Sequence, residues 1–484
     1  MKASQILDFW LELTAISIVV AAILTALHIV LRKDDVRAAT GWLGLVWLTP
    51  LVGVVLYWIL GVNRIRRRAH ELYSDHQPIE QLDRQFAIGC HELRAHVPAD
   101  SLHLLRLAQL TDRVTRQPLI QGNAVALLEN GDSAYPKMLE SIESARDSVA
   151  LCTYIFDNDH WGQTFRQALS EAAARGVEVR VLIDAVGARY SFPPVLRALK
   201  KAGIPAARFM PSLWPWRFRY ANLRNHRKIL VCDGRIGYTG GMNIRSGNVL
   251  ADNPHHPIVD LHCEIRGPAV AGLQSAFADD WQFATGERLT GRQWYPALTG
   301  VGDAICRGIP DGPDEDFDKL HLTIMGALAC ARDQVVMVTP YFLPDERLNA
   351  AIKVTALRGV DVRIVIPARS NLKLVEWAST PGLVELLDAG CRIYRTPPPF
   401  DHTKLMLVDN AWVLLGSANI DSRSLVLNFE FNVECYAVEL AASTARYIDD
   451  KLVHVAPLHR QQILELPTAI QLRNRLFRLL SPYL

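Results

Sequence analysis

Every position from Leu13 to Leu31 lacks a formal charge, and as a helix rising ~1.5 Å per residue this run nearly spans a hydrocarbon core of ~30 Å. A second uncharged run, Trp42 to Val62, carries Trp42, Trp47, Tyr57 and Trp58, residue types suited to membrane interfaces, and its Pro50 and Gly53 are tolerable in a spanning helix. The pattern therefore predicts two N-terminal transmembrane helices forming an anchor over 1–63. A shallow hairpin that does not cross is the alternative. A cleaved signal is disfavoured, because Lys2 is the lone base before the first run, Asp8 and Glu12 flank it, and no small-residue cleavage site follows. Arg32, Lys33 and Arg37 lie between the runs, against Lys2, Arg64, Arg66, Arg67 and Arg68 at the two ends, which puts both ends and the catalytic part in the cytoplasm.

Residues 64–120 are polar and read as a helical connector. From about 121 the pattern changes to short apolar strands alternating with helical stretches, and it does so twice. Ala145-Arg146-Asp147 followed by SVALCTYIF matches Ala331-Arg332-Asp333 followed by QVVMVTPYF. Arg175-Gly176-Val177 leading into EVRVLID matches Arg358-Gly359-Val360 leading into DVRIVIP. Apolar strands with intervening helices imply a sheet covered on its faces, hence an α/β class with halves over 121–295 and 296–484.

The duplication continues into residues that carry chemistry. Asn225-His226-Arg227-Lys228, then Asp233 and Gly240-Gly241-Met242-Asn243, matches Asp401-His402-Thr403-Lys404, then Asp409 and Gly416-Ser417-Ala418-Asn419, at identical intervals. A lone His-x-Lys is weak; two copies in register are strong. In a strand, residues i and i+2 share a face, so each imidazole stands beside an ammonium, an arrangement suited to a tetrahedral phosphate. Asn243 and Asn419 offer amide donors to the same anion. Asp260, in DLHCE, and Glu430, in EFNVE, are placed to accept from the far nitrogen of a histidine. Asp233 and Asp409 belong to the repeated motif, and an acid before a turn also serves as scaffold. Arg224 and Arg227 can hold the donor phosphate through attack if they point inward.

Composition removes some alternatives. Lys plus Arg is 52 against 50 for Asp plus Glu, a formal +2, so there is no global field for wrapping a polyanion and no nucleic-acid partner is expected. The one basic-aromatic stretch, WPWRFRY at 214–220, suits lipid headgroups equally well, and plain loop packing no less. Eight cysteines without a CxxC pair suggest neither zinc nor disulfides. His255, His256 and His262 have no counterparts in the second half, so neither a metal nor a cofactor is expected.

With these residues in place, the chain resembles the phospholipase D superfamily, whose mark is a duplicated His-x-Lys-x4-Asp motif, and more closely its bacterial cardiolipin synthases. NLRNHRKILVCDGRIGYTGGMNI at 222–244, RGPAV at 266–270, TPYF at 339–342, the anchor ending GVNRIRRR and the closing LFRLLSPYL carry the likeness. The resemblance implies two α/β halves related by a pseudo-twofold, with one active site at their interface. It implies a bacterial inner-membrane enzyme that transfers a phosphatidyl group between two phosphatidylglycerol molecules through a phosphohistidine. His226 would be the nucleophile, His402 the acid and then base, and Lys228, Lys404, Asn243, Asn419 and Ser417 the phosphate ligands. Gly241 stands where the superfamily often has Ser.

The same residues would serve a phospholipase D, a transferase with another alcohol, or a tethered phosphodiesterase or nuclease. A non-enzymatic scaffold predicts loss of a motif His or Lys, and all four are present. Near the C-terminus, Leu472, Leu476, Leu479 and Leu480 recur at helical spacing with Arg473, Arg475 and Arg478 between them, which predicts an amphipathic helix meeting either anionic lipid or the protein body.

Overall fold

The computed structural model describes residues 3–33, 36–61, 84–191, 193–210, 223–313 and 318–481. The basic cluster at 64–68 and the WPWRFRY stretch lie outside them. Two compact units divide the chain, one N-terminal, the other running from Asp75 to the C-terminus apart from 212–222.

In the N-terminal unit, Ala3–Arg32 is a continuous helix, and its part from Phe9 to Arg32 is long and apolar enough to cross a membrane. The second run departs from the expected single helix. It divides into Val36–Leu48, Pro50–Leu56 and a π-turn at Tyr57–Gly61. Pro50 has no N–H to donate and its ring crowds the preceding turn, so the helix restarts there with Pro50 in its first turn. The broken run folds back on the first helix. His28 Nδ1 meets the Tyr57 hydroxyl at 2.8 Å, and Trp58 Nε1 donates to Thr25 Oγ1 at 3.0 Å, satisfying the polar groups of the apolar run.

The second unit is built on a 16-stranded sheet. Seven strands of each half follow the same order outward from the centre, where Ala304–Asp311 pairs antiparallel with Leu119–Glu129. In the first half the order is Leu119–Glu129, Leu261–Arg266, Ile236–Gly240, Ile229–Cys232, Ser148–Thr153, Glu178–Asp184 and Ala206–Phe209. In the second it is Ala304–Asp311, Asn428–Tyr436, Trp412–Gly416, Leu405–Val408, Gln334–Val338, Asp361–Pro367 and Arg392–Thr396. The outer three strands of each half are parallel and joined through helices, as parallel neighbours require; the inner ones are antiparallel. Ser148–Thr153 and Leu405–Val408 are buried along their whole length because helices cover both faces.

Residues 84–118 are more than a connector. Leu93, Leu104, Leu107 and Ala108 are fully buried in the second half's core with Ile324, Leu328 and Trp412. A further cluster unites both halves, from Ile229 and Phe277 to Leu407 and Phe431.

The C-terminal helix Thr468–Arg478 lies against Lys373–Asp388. Phe477 packs on Trp377 at 5.2 Å between ring centroids, the Arg473 guanidinium lies 4.0 Å over the same indole, and Arg478 pairs with Glu385 at 3.5 Å. Two of the arginines expected at headgroups are thus occupied by the protein. Arg475 stays exposed, as do Leu472, Leu476, Leu479 and Leu480. The expectation of docking on the protein body is met, and the leucines on the other side of the segment stay exposed.

Candidate active site

Each His-x-Lys triplet sits just before a strand rather than within one, His226–Lys228 ahead of Ile229–Cys232 and His402–Lys404 ahead of Leu405–Val408. The backbone leading into each triplet is captured by the opposite half. Arg224 and Asn225 pair in parallel with Asn428 and Phe429, and the His226 N–H donates to Phe429 O at 2.9 Å. Phe400 and Asp401 pair with Ile258 and Val259, and the His402 N–H donates to Val259 O at 2.7 Å. The residue after each accepting carbonyl is an acid, so the exchange of strands delivers each acid to the other half's histidine. Glu430 Oε1 and Oε2 both lie 3.1 Å from His226 Nδ1, and Asp260 Oδ2 lies 2.8 Å from His402 Nδ1. With Nδ1 engaged, Nε2 is the reactive nitrogen of each ring. The ring centroids are 6.5 Å apart at 82°, a spacing that admits a tetrahedral group between them.

Lys228 Nζ donates to His226 O at 2.6 Å, Lys404 Nζ donates to His402 O, and both lysines are buried. Burial, partly offset by Glu430, pushes Lys228 down to about 7, and burial against Asp260 leaves Lys404 at about 8. His226 is lowered by burial against the pull of Glu430, and His402 well below the usual range by burial and Lys404. Burial pushes Asp260 up to about 6 in spite of Lys404. Burial also acts to raise Glu430, but His226, Lys228 and Ser417 outweigh it and hold the carboxylate below its normal value.

These directions set a pH profile. The orienting Asp260 must be ionised and the lysines protonated, so these three groups alone make kcat/KM rise through about pH 6 and fall above about 7 to 8, and any step that needs His402 protonated, its pKa being held low, brings the fall earlier. A bound phosphodiester anion favours the charged lysines, so the basic limb of kcat should lie higher than that of kcat/KM. A profile flat between about pH 5 and 9 would rule out these groups.

Ser417 and Gly241 mark where the halves differ. The Ser417 hydroxyl donates to Glu430 Oε2 at 2.5 Å and accepts from the Phe431 N–H at 3.0 Å, so it positions the acid rather than binding phosphate as expected. At Gly241 a Cβ would stand 2.1 Å from Asp260 Oδ1, so the acid occupies the space a serine would need.

Asn243 Oδ1 accepts from the Ile155 N–H at 3.0 Å, which turns its amide nitrogen outward from that bond. Asn419 donates Nδ2 to Ser424 Oγ at 3.0 Å and leaves Oδ1 buried without a partner. Turning that amide over lets Ser424 donate and moves the N–H pair to the position that Oδ1 holds.

Asp233 and Asp409 are placed away from the histidines, as scaffold rather than as the catalytic residues that their place in the repeated motif also suggests. Asp233 accepts from the N–H groups of Arg146, Asp147 and Ser148, and Asp409 from those of Arg332, Asp333 and Gln334, at 2.7 to 3.1 Å. Each holds a left-handed turn, φ 52° and 48°, a conformation Asp tolerates. Asp409 also takes His103 Nε2 at 2.6 Å.

Arg227 likewise points away from the phosphate position. It is buried, donating to Asp280 Oδ1 at 2.9 Å and to the Glu430 carbonyl at 3.0 Å, while Asn225 donates to Asp280 Oδ2 at 2.7 Å. His255 and His256 are exposed while His262 is buried, and no group of three metal-ligating side chains occurs among the described residues. Sequence reasoning missed the aromatic walls. Tyr154 lies 5.2 Å from the His226 ring, and Tyr341 and Phe400 lie 6.3 and 6.0 Å from that of His402. The TYIF and TPYF ends of the repeat were the available signal for the tyrosines.

A duplicated sheet carrying one His-Lys pair per half, with both pairs meeting at the joint, defines a phospholipase-D-like protein. Residues 138–281 and 324–452 match the family described as "Cardiolipin synthase, PLD-like domain". Among curated proteins, the cardiolipin synthase of Geobacillus kaustophilus is 32% identical over 483 residues, covering 98% of this chain and 95% of that one. Cardiolipin synthase A of Pseudomonas aeruginosa is 32% identical over 485 residues, covering 98% and 96%. The crystal structure of a phosphatidylserine synthase from Haemophilus influenzae superposes with a TM-score of 0.62 at 13% identity, covering 78% of this chain and 100% of that one, which is a likeness of fold. The chain belongs to the cardiolipin synthase family.

Proposed function

We propose that the protein is a cardiolipin synthase that transfers a phosphatidyl group from one phosphatidylglycerol to the glycerol hydroxyl of another, giving cardiolipin and free glycerol. The observation that carries this reading is the facing pair of imidazoles at 6.5 Å, each with Nδ1 fixed by a carboxylate of the opposite half, in a chain of this family. In the first step His226 Nε2 attacks phosphorus, the bond from phosphorus to the glycerol oxygen breaks, and His402 gives that oxygen its proton. In the second, His402 takes the proton of the acceptor hydroxyl, the oxygen attacks phosphorus, and the bond to His226 breaks, leaving both rings as they began. Lys228 and Lys404 supply positive charge to the non-bridging oxygens, and the bound anion in turn favours the His402 imidazolium.

One phosphodiester replaces another, so the free-energy change is small and exclusion of water decides between transfer and hydrolysis. An N-terminal hydrophobic segment in the bacterial cell membrane, with its basic ends cytoplasmic, brings the site to its lipid. Purified full-length protein given phosphatidylglycerol alone should release cardiolipin and glycerol in equal amounts, with added glycerol reversing the reaction and EDTA without effect. Phosphatidic acid as the main product, or cleavage of nucleic acid but not lipid, would overturn the reading.

The outward leucines of the C-terminal helix fit this setting. Each apolar side chain buried in an interface contributes up to about 1.5–3 kcal/mol, so Leu472→Ser with Leu476→Ser should raise the apparent KM for phosphatidylglycerol in mixed micelles about tenfold or more and leave kcat near its original value. An unchanged KM would assign the helix to the protein body alone.

A further inference from the structure

Cardiolipin carries two phosphodiesters one glycerol apart, so while one phosphate reacts at the histidines the acceptor's own phosphate must lie close by as a spectator. The catalytic groups obey the pseudo-twofold; a pair of arginines beside them does not. The residue two positions before His402 is Phe400, whose ring packs 6.0 Å from the imidazole. Its counterpart before His226 is Arg224. Arg224 and Asn225 are paired in strand register with Asn428 and Phe429, and the register runs on to His226, so alternation puts Arg224 on the histidine's own face.

Arg423 stands on the short helix Ser422–Val426, which leads directly into the strand bearing Asn428, the partner of Arg224. Its counterpart in the first half is Gly247, so neither arginine has a basic equivalent across the pseudo-twofold. Both are half-buried, and Tyr154, which packs against His226, lies within the field of both. Burial, and then the neighbouring Arg224, lowers the pKa of Arg423. Asp421 and Asp184 act on Arg423 in the opposite sense, while Asp184 accepts from the N–H groups of Val186, Gly187 and Asn225, and Asp421 from that of Ser424. Arg224 also donates to Leu223 O at 2.6 Å. Guanidinium forks suit phosphate oxygens.

We propose that Arg224 and Arg423 form a second phosphodiester subsite, which holds the acceptor's spectator phosphate while its glycerol hydroxyl attacks. The proposal deepens the cardiolipin synthase reading and rests on it. The subsite makes the enzyme prefer an alcohol that already carries a phosphodiester, and so favours cardiolipin over return of glycerol.

The test offers full-length enzyme in mixed micelles phosphatidylglycerol as donor and two soluble acceptors in competition. Isotope-labelled glycerol and glycerophosphoglycerol present the same hydroxyl, without and with the phosphodiester, and neither has acyl chains. The ratio of the two phosphatidyl products, read by mass spectrometry, cancels any general loss of activity or of folded enzyme. Wild type should favour glycerophosphoglycerol, and Arg224→Gln with Arg423→Gln should reduce that preference about tenfold or more, the range for losing hydrogen bonds to a charged group. Arg423→Lys should retain part of it. Equal use of both acceptors by wild type, or an unchanged ratio in the double variant, overturns the subsite while leaving the function standing. Wild type that makes cardiolipin but transfers to neither soluble acceptor overturns the subsite, and wild type that makes neither these products nor cardiolipin overturns the function and the subsite with it.

Discussion

His226→Ala should lower phosphatidyl transfer by on the order of 10⁴-fold or more and form no covalent adduct from any donor, because the atom that attacks phosphorus is gone. His402→Ala should be comparably slow on phosphatidylglycerol, losing roughly 10²–10⁴-fold, but for a different reason: glycerol leaves as a poor anion unless protonated. A donor with a better leaving group removes that need, so His402→Ala should then accumulate a phosphatidyl adduct on His226 that cannot be passed on. The acids fit the proposed order of roles. A histidine that becomes phosphorylated gains positive charge and needs a partner that is firmly anionic. Glu430, held below its usual range and 3.1 Å from His226 Nδ1, is that partner. Asp260, pushed up to about 6, serves a ring that only exchanges a proton. Peptide mapping of acid-quenched enzyme decides the matter. An adduct on His402 in wild type reverses the assignment, and no adduct with any donor argues for direct displacement.

Much of this site is legible in the sequence because duplication turns weak motifs into strong ones. Two His-x-Lys copies at identical intervals, each followed by an acid on a later strand, give the residues and their kinds of chemistry. They do not say which copy meets which. Glu430 serving His226 and Asp260 serving His402 follows from pairing Asn225 with Phe429 and Asp401 with Val259, contacts between positions far apart in the chain that no local pattern encodes. Arg227 was open to either direction because one position along an extended segment reverses the face, and the structure sends it to Asp280. Ser417 shows the limit of motif position: its hydroxyl suits a phosphate equally well, but the carboxylate it meets lies a strand away. At Pro50, hydropathy averages side chains and does not register a missing backbone N–H, so the broken second run was invisible to the pattern that found it.

The crossing of acids between halves yields a second large effect. Glu430→Gln and Asp260→Asn preserve shape, and each should lower transfer by roughly 10²–10⁴-fold, as neutralising the acid of a catalytic triad does. An amide turned with its NH₂ toward Nδ1 pushes the ring proton to Nε2, the atom that must attack or accept. An amide turned the other way keeps the tautomer but supplies no compensating charge. The two variants should fail differently, each copying the histidine of the opposite half. Glu430→Gln should behave as His226→Ala does, with adduct formation suppressed even from an activated donor. Asp260→Asn should behave as His402→Ala does, forming the adduct from an activated donor and stalling before transfer. Single-turnover adduct formation with an activated donor separates the cases, since it requires the attacking ring but not the proton donor. If Asp260→Asn blocks the adduct while Glu430→Gln permits it, then either the acids do not cross or the histidines exchange roles. Mapping the wild-type adduct tells these apart, because the crossed geometry ties the fate of each acid to the histidine 2.8 to 3.1 Å away.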